Sequence, residues 1–218
     1  MAPTFSSRFS RTVDLYGDDA FARVRSGGAV VVGLGGVGAH AAVALARSGV
    51  GRLFLVDHDV ITASSLNRHP VAGPADVGRG KAEVLGANLT ATCPDTETVA
   101  LSARVTPAAV ADLLGAGVRA RHGVLVDCID SVPDKVALLA HASGLEWRTV
   151  CSLGAAGKRD GGLVRTGTLA DTRVCPLARR VRRGARDAGV APGDVAAVWS
   201  EEAPVPPVTA TVGAPGDD

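Results

Sequence analysis

A run of β-branched apolar residues stops at Gly33 and gives way, through Leu34-Gly35-Gly36-Val37-Gly38, to an alanine-rich stretch; this junction constrains the fold more than any other part of the chain. Residues 29–32 read as a buried strand, residues 39–47 as a helix, and the glycines between them as a tight turn. The turn fits G-x-G-x-x-G. Gly33, Gly35, Gly36 and Gly38 carry no side chains, so a phosphate can approach the backbone and the N-terminus of the helix. Residues 52–56 form the next apolar run and end at Asp57, 19 residues past Gly38. Strand, helix and strand make one βαβ unit, and its right-handed crossover makes the strands parallel. A carboxylate at Asp57 is placed to accept hydrogen bonds from ribose hydroxyls, which turns a weak glycine motif into an expectation of nucleotide binding.

The alternation continues along the chain. Residues 77–92 read as helix, 97–101 as strand, 107–114 as helix with Pro107 at its start, 123–127 as a buried strand, 133–143 as helix and 148–152 as strand. From Gly161 the texture changes to a strand at 163–169, an arginine-rich helix at 176–188 and a strand at 195–199. The expected fold class is α/β: a Rossmann-like, doubly wound, mostly parallel sheet with a smaller mixed C-terminal extension. A chain of 218 residues suits one domain. That domain is expected over residues 1–202, with the nucleotide-binding core at about 8–152, and the Pro/Gly-rich tail 203–218 reads as extended or disordered.

Charge and cysteine content exclude several classes. Lys plus Arg total 23 against 22 for Asp plus Glu, so no whole-molecule field draws the chain to nucleic acid or membrane, and any polyanion site is local. Residues 26–46 are uncharged and long enough to span a bilayer, but their glycines and His40 divide them into strand, turn and helix. The N-terminus lacks the apolar core of a signal peptide, so a cytoplasmic protein with no membrane partner is expected. Cys93, Cys128, Cys151 and Cys175 form no C-x-x-C pair, so reduced thiols and no zinc are expected.

A dinucleotide needs little beyond the glycine turn. Splitting ATP between its α and β phosphates needs more: cations aimed at the phosphates and a carboxylate for Mg²⁺. Asn67-Arg68 follow the second strand, Lys81 opens the next helix, and Asp127 and Asp130 close the fourth strand at the carboxyl edge, where open α/β sheets bind ligands. Asp130 is the better Mg²⁺ ligand of the two. Each residue also has a plainer reading, Arg68 and Lys81 as solvated charges, Asp130 or Ser131 as a helix N-cap. Together they occupy successive strand ends in the order a phosphate site requires.

In these residues the sequence resembles the ubiquitin-activating-type adenylating superfamily: Gly33 to Gly38, Asp57 with Asp59, Asn67-Arg68, Lys81, and Asp127 to Ser131. Within that superfamily it looks most like the tRNA threonylcarbamoyladenosine dehydratases, over about residues 8–202, through Arg8-Phe9, Leu15-Tyr16-Gly17, Lys81-Ala82-Glu83, Asp130-Ser131-Val132 and Lys135. The resemblance implies ATP and Mg²⁺, with Asp57 at the ribose, Arg68 and Lys81 at the phosphates and Asp130 at the metal. Asp59, Asn67 and Ser131 belong to the same nucleotide site. It also implies a homodimer, in which Arg11 reaches the partner subunit's ATP as a catalytic group, and a cysteine-desulfurase-system protein as a partner. The reaction so implied is adenylation of the threonylcarbamoyladenosine carboxylate beside the tRNA anticodon. A neighbouring amide then closes a ring and expels AMP, a net dehydration.

A tRNA partner calls for a local basic surface. Arg179, Arg182, Arg183 and Arg186 share one helical face able to neutralise phosphates, with an ordinary solvated helix as the alternative. Two other functions stay open: adenylation of the C-terminal carboxylate of a ubiquitin-like sulfur carrier, and a nucleotide-binding scaffold or NAD-dependent oxidoreductase in which Lys81 and Asp130 are dispensable. Family members continue past the late strand into a further apolar segment, so the chain reads as shortened, and activity or dimerisation is expected to suffer if that segment covers the site. Ala197 stands where some dehydratases carry cysteine, which removes a thiol but not the chemistry.

Overall fold

The computed structural model describes residues 8–105, 123–144 and 148–206. Two short helices, Ser10–Tyr16 (α1) and Asp18–Ser26 (α2), lead into Gly28–Val32 (β1), Gly36–Arg47 (α3), Arg52–Val56 (β2), Lys81–Thr92 (α4) and Glu97–Leu101 (β3). Val124–Asp127 (β4), Val132–Gly144 (α5), Arg148–Ser152 (β5), Val164–Thr168 (β6), Pro176–Asp187 (α6) and Ala196–Ser200 (β7) follow.

All five residues of β1 are buried, and a strand with no solvent face must be covered by helices on both sides. Its alternating side chains meet that demand. Ala29 and Val31 pack with Ala39, Ala42 and Ala46 of α3 and Leu85 and Leu89 of α4. Val30 and Val32 pack on the other face with Leu138 and Ala142 of α5. A third cluster sets Ala178, Val181 and Ala185 of α6 against Leu139, Cys151 and Trp199. There α6 approaches α5 so closely that a Cβ on Gly184 would meet Val136 at 2.7 Å.

One seven-stranded sheet results, in the order β3-β2-β1-β4-β5-β7-β6. Every neighbouring pair is parallel except β6 with β7, so the sheet is doubly wound with a mixed C-terminal edge. The chain leaves β1 toward β2 and β3, then returns to add β4 on the other side of β1. Between β1 and β4 the loops depart to opposite faces, and a crevice opens at the carboxyl ends of the strands.

The elements depart from expectation at two places. Helix α4 starts at Lys81 rather than at residue 77, because Gly78 lies at φ 92° and Gly80 pairs with Val60, which holds the preceding residues as a loop. Helices α1 and α2 were not expected, since they are short and polar. They are anchored chiefly by Phe9 and Phe21, whose ring centroids lie 5.2 Å apart over Gly49. The helix expected at 107–114 and the tail beyond residue 206 lie outside the described residues. Among the described residues no helix is long and apolar enough to cross a membrane, and the four cysteines are free thiols.

Candidate active site

A cleft of about 820 Å³ opens at the switch point, bounded by the glycine turn, the carboxyl ends of β1, β2 and β5, the loop after β4, and the start of α6. Two of its glycines are fixed by geometry. Gly33 lies at φ 85°, and a Cβ there would meet the Cys128 carbonyl oxygen at 2.8 Å; a Cβ on Gly38 would sit 1.8 Å from the Gly33 carbonyl oxygen. Gly35, Gly36 and Val37 border the cleft at the start of α3, where first-turn N–H groups have no intrahelical partner and attract anions.

Asp57 fastens this turn to β2. Its Oδ2 accepts the Leu34 N–H at 2.6 Å and its Oδ1 the Asp59 N–H at 2.8 Å. The carboxylate borders the cleft, so the ribose expectation falls on a group that already holds the turn. Arg68 lies across the helix start, its methylenes 3.2 to 3.4 Å from where a Gly36 Cβ would be. Its Nη1 donates to the Ser64 carbonyl at 2.6 Å and to Asn67 Oδ1 at 3.1 Å. Asn67 does not border the cleft; its amide instead anchors the arginine.

Lys81 is the first residue of α4, with a side chain only 14% exposed, and its Nζ lies 2.7 Å from Asp59 Oδ2. The backbone closes the same pair, the Lys81 N–H donating to the Asp59 carbonyl at 2.9 Å. The hydrogen bond from Lys81 holds the Asp59 carboxyl below the usual carboxylate range. Asp59 therefore aims the ammonium along the cleft wall. Asp130 stands exposed at the cleft from the loop after β4. Ser131 does not border the cleft; its carbonyl accepts the Lys135 N–H at the start of α5.

Beneath this floor lies a feature the sequence did not flag by role. Lys135 and Asp127 are both fully buried, with Nζ 2.8 Å from Oδ1. The ammonium also donates to the Ser152 carbonyl at 3.0 Å and the Asp127 carbonyl at 3.3 Å, tying the ends of β4 and β5 together below the cleft. Burial works against the charge, but Asp127 beside it raises the Lys135 pKa, so the ammonium stays protonated. Burial and then the Asp127 charge push the Cys128 and Cys151 thiols up to about 12, which leaves neither as a thiolate nucleophile.

The profile of the ThiF family matches residues 9–159. The chain belongs to the ThiF family.

Among relatives of this ThiF-family chain is the tRNA threonylcarbamoyladenosine dehydratase of Bacillus subtilis (strain 168), 30% identical over 198 residues, covering 91% of this chain and 76% of that protein. The enzyme of the same name from Escherichia coli (strain K12) is 34% identical, covering 84% of this chain and 66% of its own length. For the dehydratase 2 of Saccharomyces cerevisiae the figures are 36% identity, 89% of this chain and 43% of that protein. The chain thus spans less than two thirds of the E. coli and yeast relatives. The crystal structure of the E. coli tRNA N6-threonylcarbamoyladenosine dehydratase in complex with ATP superposes with a TM-score of 0.87 at 34% identity, covering 93% of this chain and 84% of that one.

Within the ThiF-family cleft the structure gathers Gly33, Gly35, Gly36, Asp57, Asp59, Arg68, Lys81 and Asp130, with Gly38 packed just behind. Arg11 is not among them: it lies exposed on α1, away from the cleft of its own chain. The arginine face of α6 is also less uniform than its spacing suggests. Arg179, Arg183 and Arg186 are exposed, while Arg182 turns inward and donates to the Thr172 carbonyl at 2.7 Å. The far wall consists of Gly154, Ala155, Ala156 and Lys158, none of them singled out from sequence. Lys158 is held by the Glu202 carbonyl, and the Glu202 carboxylate accepts the Arg159 and Asp160 N–H groups at 2.7 and 2.9 Å. A glycine just beyond a strand end at the carboxyl edge, Gly154 after β5, is the signal that would have found this wall.

Proposed function

We propose that the chain is an ATP-dependent tRNA threonylcarbamoyladenosine dehydratase, which adenylates the substrate carboxylate and then closes the ring with loss of AMP. The observation that carries this reading is the convergence of a helix N-terminus, Arg68, Lys81 and the exposed carboxylate of Asp130 on one cleft. A nicotinamide oxidoreductase holds its pyrophosphate mainly through the glycine turn and the helix end and does not call for all three side chains together.

In the first step a carboxylate oxygen bonds to the α-phosphorus, and the bond between that phosphorus and the bridging oxygen breaks, leaving its electron pair on pyrophosphate. Arg68 and Lys81 supply positive charge where negative charge grows, in positions fixed beforehand by Asn67 and Asp59. In the second step the neighbouring amide nitrogen attacks the activated acyl carbon, its proton passes to solvent, and AMP leaves with the electron pair of the broken acyl–oxygen bond. The mixed anhydride turns a poor leaving oxygen into a good one, so the chain's own share is charge and position. With Cys128 and Cys151 held as thiols, neither of them serves as a nucleophile, and the two steps require none from the protein.

Mg²⁺ would supply charge neutralisation on the phosphates, and Asp130 would hold it. Asp57, His58 and Asp59 are the one close group of possible metal ligands among the described residues, but Asp57 is committed to two N–H groups and Asp59 to Lys81. One exposed carboxylate plus phosphate oxygens is the set Mg²⁺ commonly takes. A homodimer in the cytoplasm completes the reading. Its support is α1, which buries none of its own residues and leaves Leu15 72% and Tyr16 65% exposed beside Arg11.

The test is AMP release from ATP and Mg²⁺ with tRNA carrying threonylcarbamoyladenosine, with unmodified tRNA and with none. Release only with the modified tRNA supports the dehydratase. Pyrophosphate release with a carrier protein bearing a C-terminal carboxylate, and no AMP release with any tRNA, replaces it with the sulfur-carrier reading.

A further inference from the structure

We infer that a hollow beside the cleft, at the start of α6, holds a backbone phosphate of the RNA substrate; the inference rests on the dehydratase reading and extends it. Arg173, Arg179, Arg180 and Arg182 line this one hollow of about 520 Å³, and among the described residues no acidic side chain lines it. Arg182 is fixed at its edge by two bonds to Thr172, at 2.7 Å to the carbonyl and 2.5 Å to the hydroxyl. Arg179 and Arg180 are exposed and form no salt bridge among the described residues. Four like charges gathered in one concavity repel one another, and an anion relieves them. The outer arginines differ: Arg183 faces Asp187 at 3.9 Å, and neither it nor Arg186 lines the hollow.

The backbone adds a second, independent sign. Val174 lies at φ 63°, the one non-glycine residue at positive φ among the described residues, and it is β-branched. The Arg173 carbonyl accepts the Cys175 N–H at 2.6 Å across it, closing a tight three-residue turn that sets Arg173 opposite α6. Strained turns of this kind persist where a ligand site needs them.

Position selects the ligand. Cys175 and Pro176 border both the hollow and the main cleft, so the first turn of α6 is the wall between them. A polymer with its reacting nucleotide in the cleft can lay a neighbouring phosphate over that wall, whereas free ATP has its phosphates at the glycine turn. The ligand is therefore a phosphodiester of RNA.

The experiment measures binding of fluorescent, threonylcarbamoyladenosine-containing tRNA to the full chain across a salt series. Arg179→Ala, Arg180→Ala and the double variant are compared with Arg47→Ala, which removes an exposed charge at the far end of α3. Each single hollow variant is expected to weaken tRNA binding roughly tenfold and to lower the salt slope by about one, and the double variant by about two, with ATP affinity unchanged and Arg47→Ala close to wild type. Wild-type tRNA affinity and slope in the double variant overturn the inference. Loss of ATP affinity with tRNA binding intact assigns the hollow to the nucleotide instead, which also overturns it. If the wild-type chain neither binds tRNA nor releases AMP in its presence, the dehydratase reading falls and takes this inference with it.

Discussion

Lys81 shows how one side chain is prepared for a charge that arrives later. Its ammonium is mostly shielded and already held by Asp59, so it needs no rearrangement to meet a phosphate, and preorganised charge of this kind acts through the transition state. Lys81→Ala is expected to slow modified-tRNA-dependent AMP formation by about 10²- to 10³-fold, or about 2.7–4 kcal/mol, while ATP still binds through the glycine turn. Single-turnover AMP formation checks this, and an undiminished rate removes Lys81 from the chemistry. His69, next to Arg68, governs stability instead. It is buried, its Nδ1 accepts the Ala72 N–H at 3.2 Å, and its Nε2 has no partner among the described residues. Burial first, then the charge of Lys81, holds its pKa below the ordinary value, so the folded ring stays neutral. As pH falls below about 6.5 the unfolded chain takes up a proton that the folded chain refuses, and stability drops; above that pH both forms are neutral and the effect vanishes. Urea midpoints at pH 7.5 and 5.5 are expected to diverge less in His69→Gln than in wild type. Equal divergence would clear His69 of any part in acid sensitivity.

At the scale of elements, legibility followed chemistry that repeats. The β1 run, its glycine turn and the strand ending at Asp57 are plain in the residues, because a strand buried on both faces must be continuously apolar and a tight turn must be small. Charges escape that logic. The spacing of Arg179, Arg182, Arg183 and Arg186 describes one face, yet Arg182 lies beside the buried stripe of Ala178, Val181 and Ala185 and so is drawn to Thr172. Lys135 enters the sequence reading only through the resemblance, with no role, since its partners come from the end of β4 and from Ser152 at the end of β5, which only the fold brings to it. Its consequence is large. Lys135→Met strands Asp127 at 0% exposure, and removing one member of such a pair costs about 3–5 kcal/mol. Chemical denaturation is expected to show that loss, and Asp127→Asn added to Lys135→Met should recover part of it by removing the orphaned charge. A double variant less stable than Lys135→Met alone would mean that the pair does not act as a unit.

At the scale of the whole molecule, the unsettled cation is Arg11. In its own chain it lies outside the cleft, on a helix that buries nothing of itself while Leu15 and Tyr16 are exposed nearby. In the proposed homodimer a second copy covers those side chains, and the trans role expected of Arg11 would have each subunit complete the other's site. That arrangement has a signature which activity loss alone lacks. Arg11→Ala and Lys81→Ala are each expected to be nearly inactive, for want of a cation in trans and in cis respectively. In a mixed dimer, the site on the Arg11→Ala subunit keeps its own Lys81 and borrows Arg11 from its partner, so it works, while the other site lacks both. Random exchange in an equal mixture makes half the dimers mixed, with one good site in each, so about a quarter of wild-type AMP formation should return. If Arg11 served its own subunit, every site in the mixture would lack one cation and nothing would return. Sedimentation of the same mixture separates the remaining case: full activity in a chain that stays monomeric would leave Arg11 as a surface charge and the cleft complete without a partner.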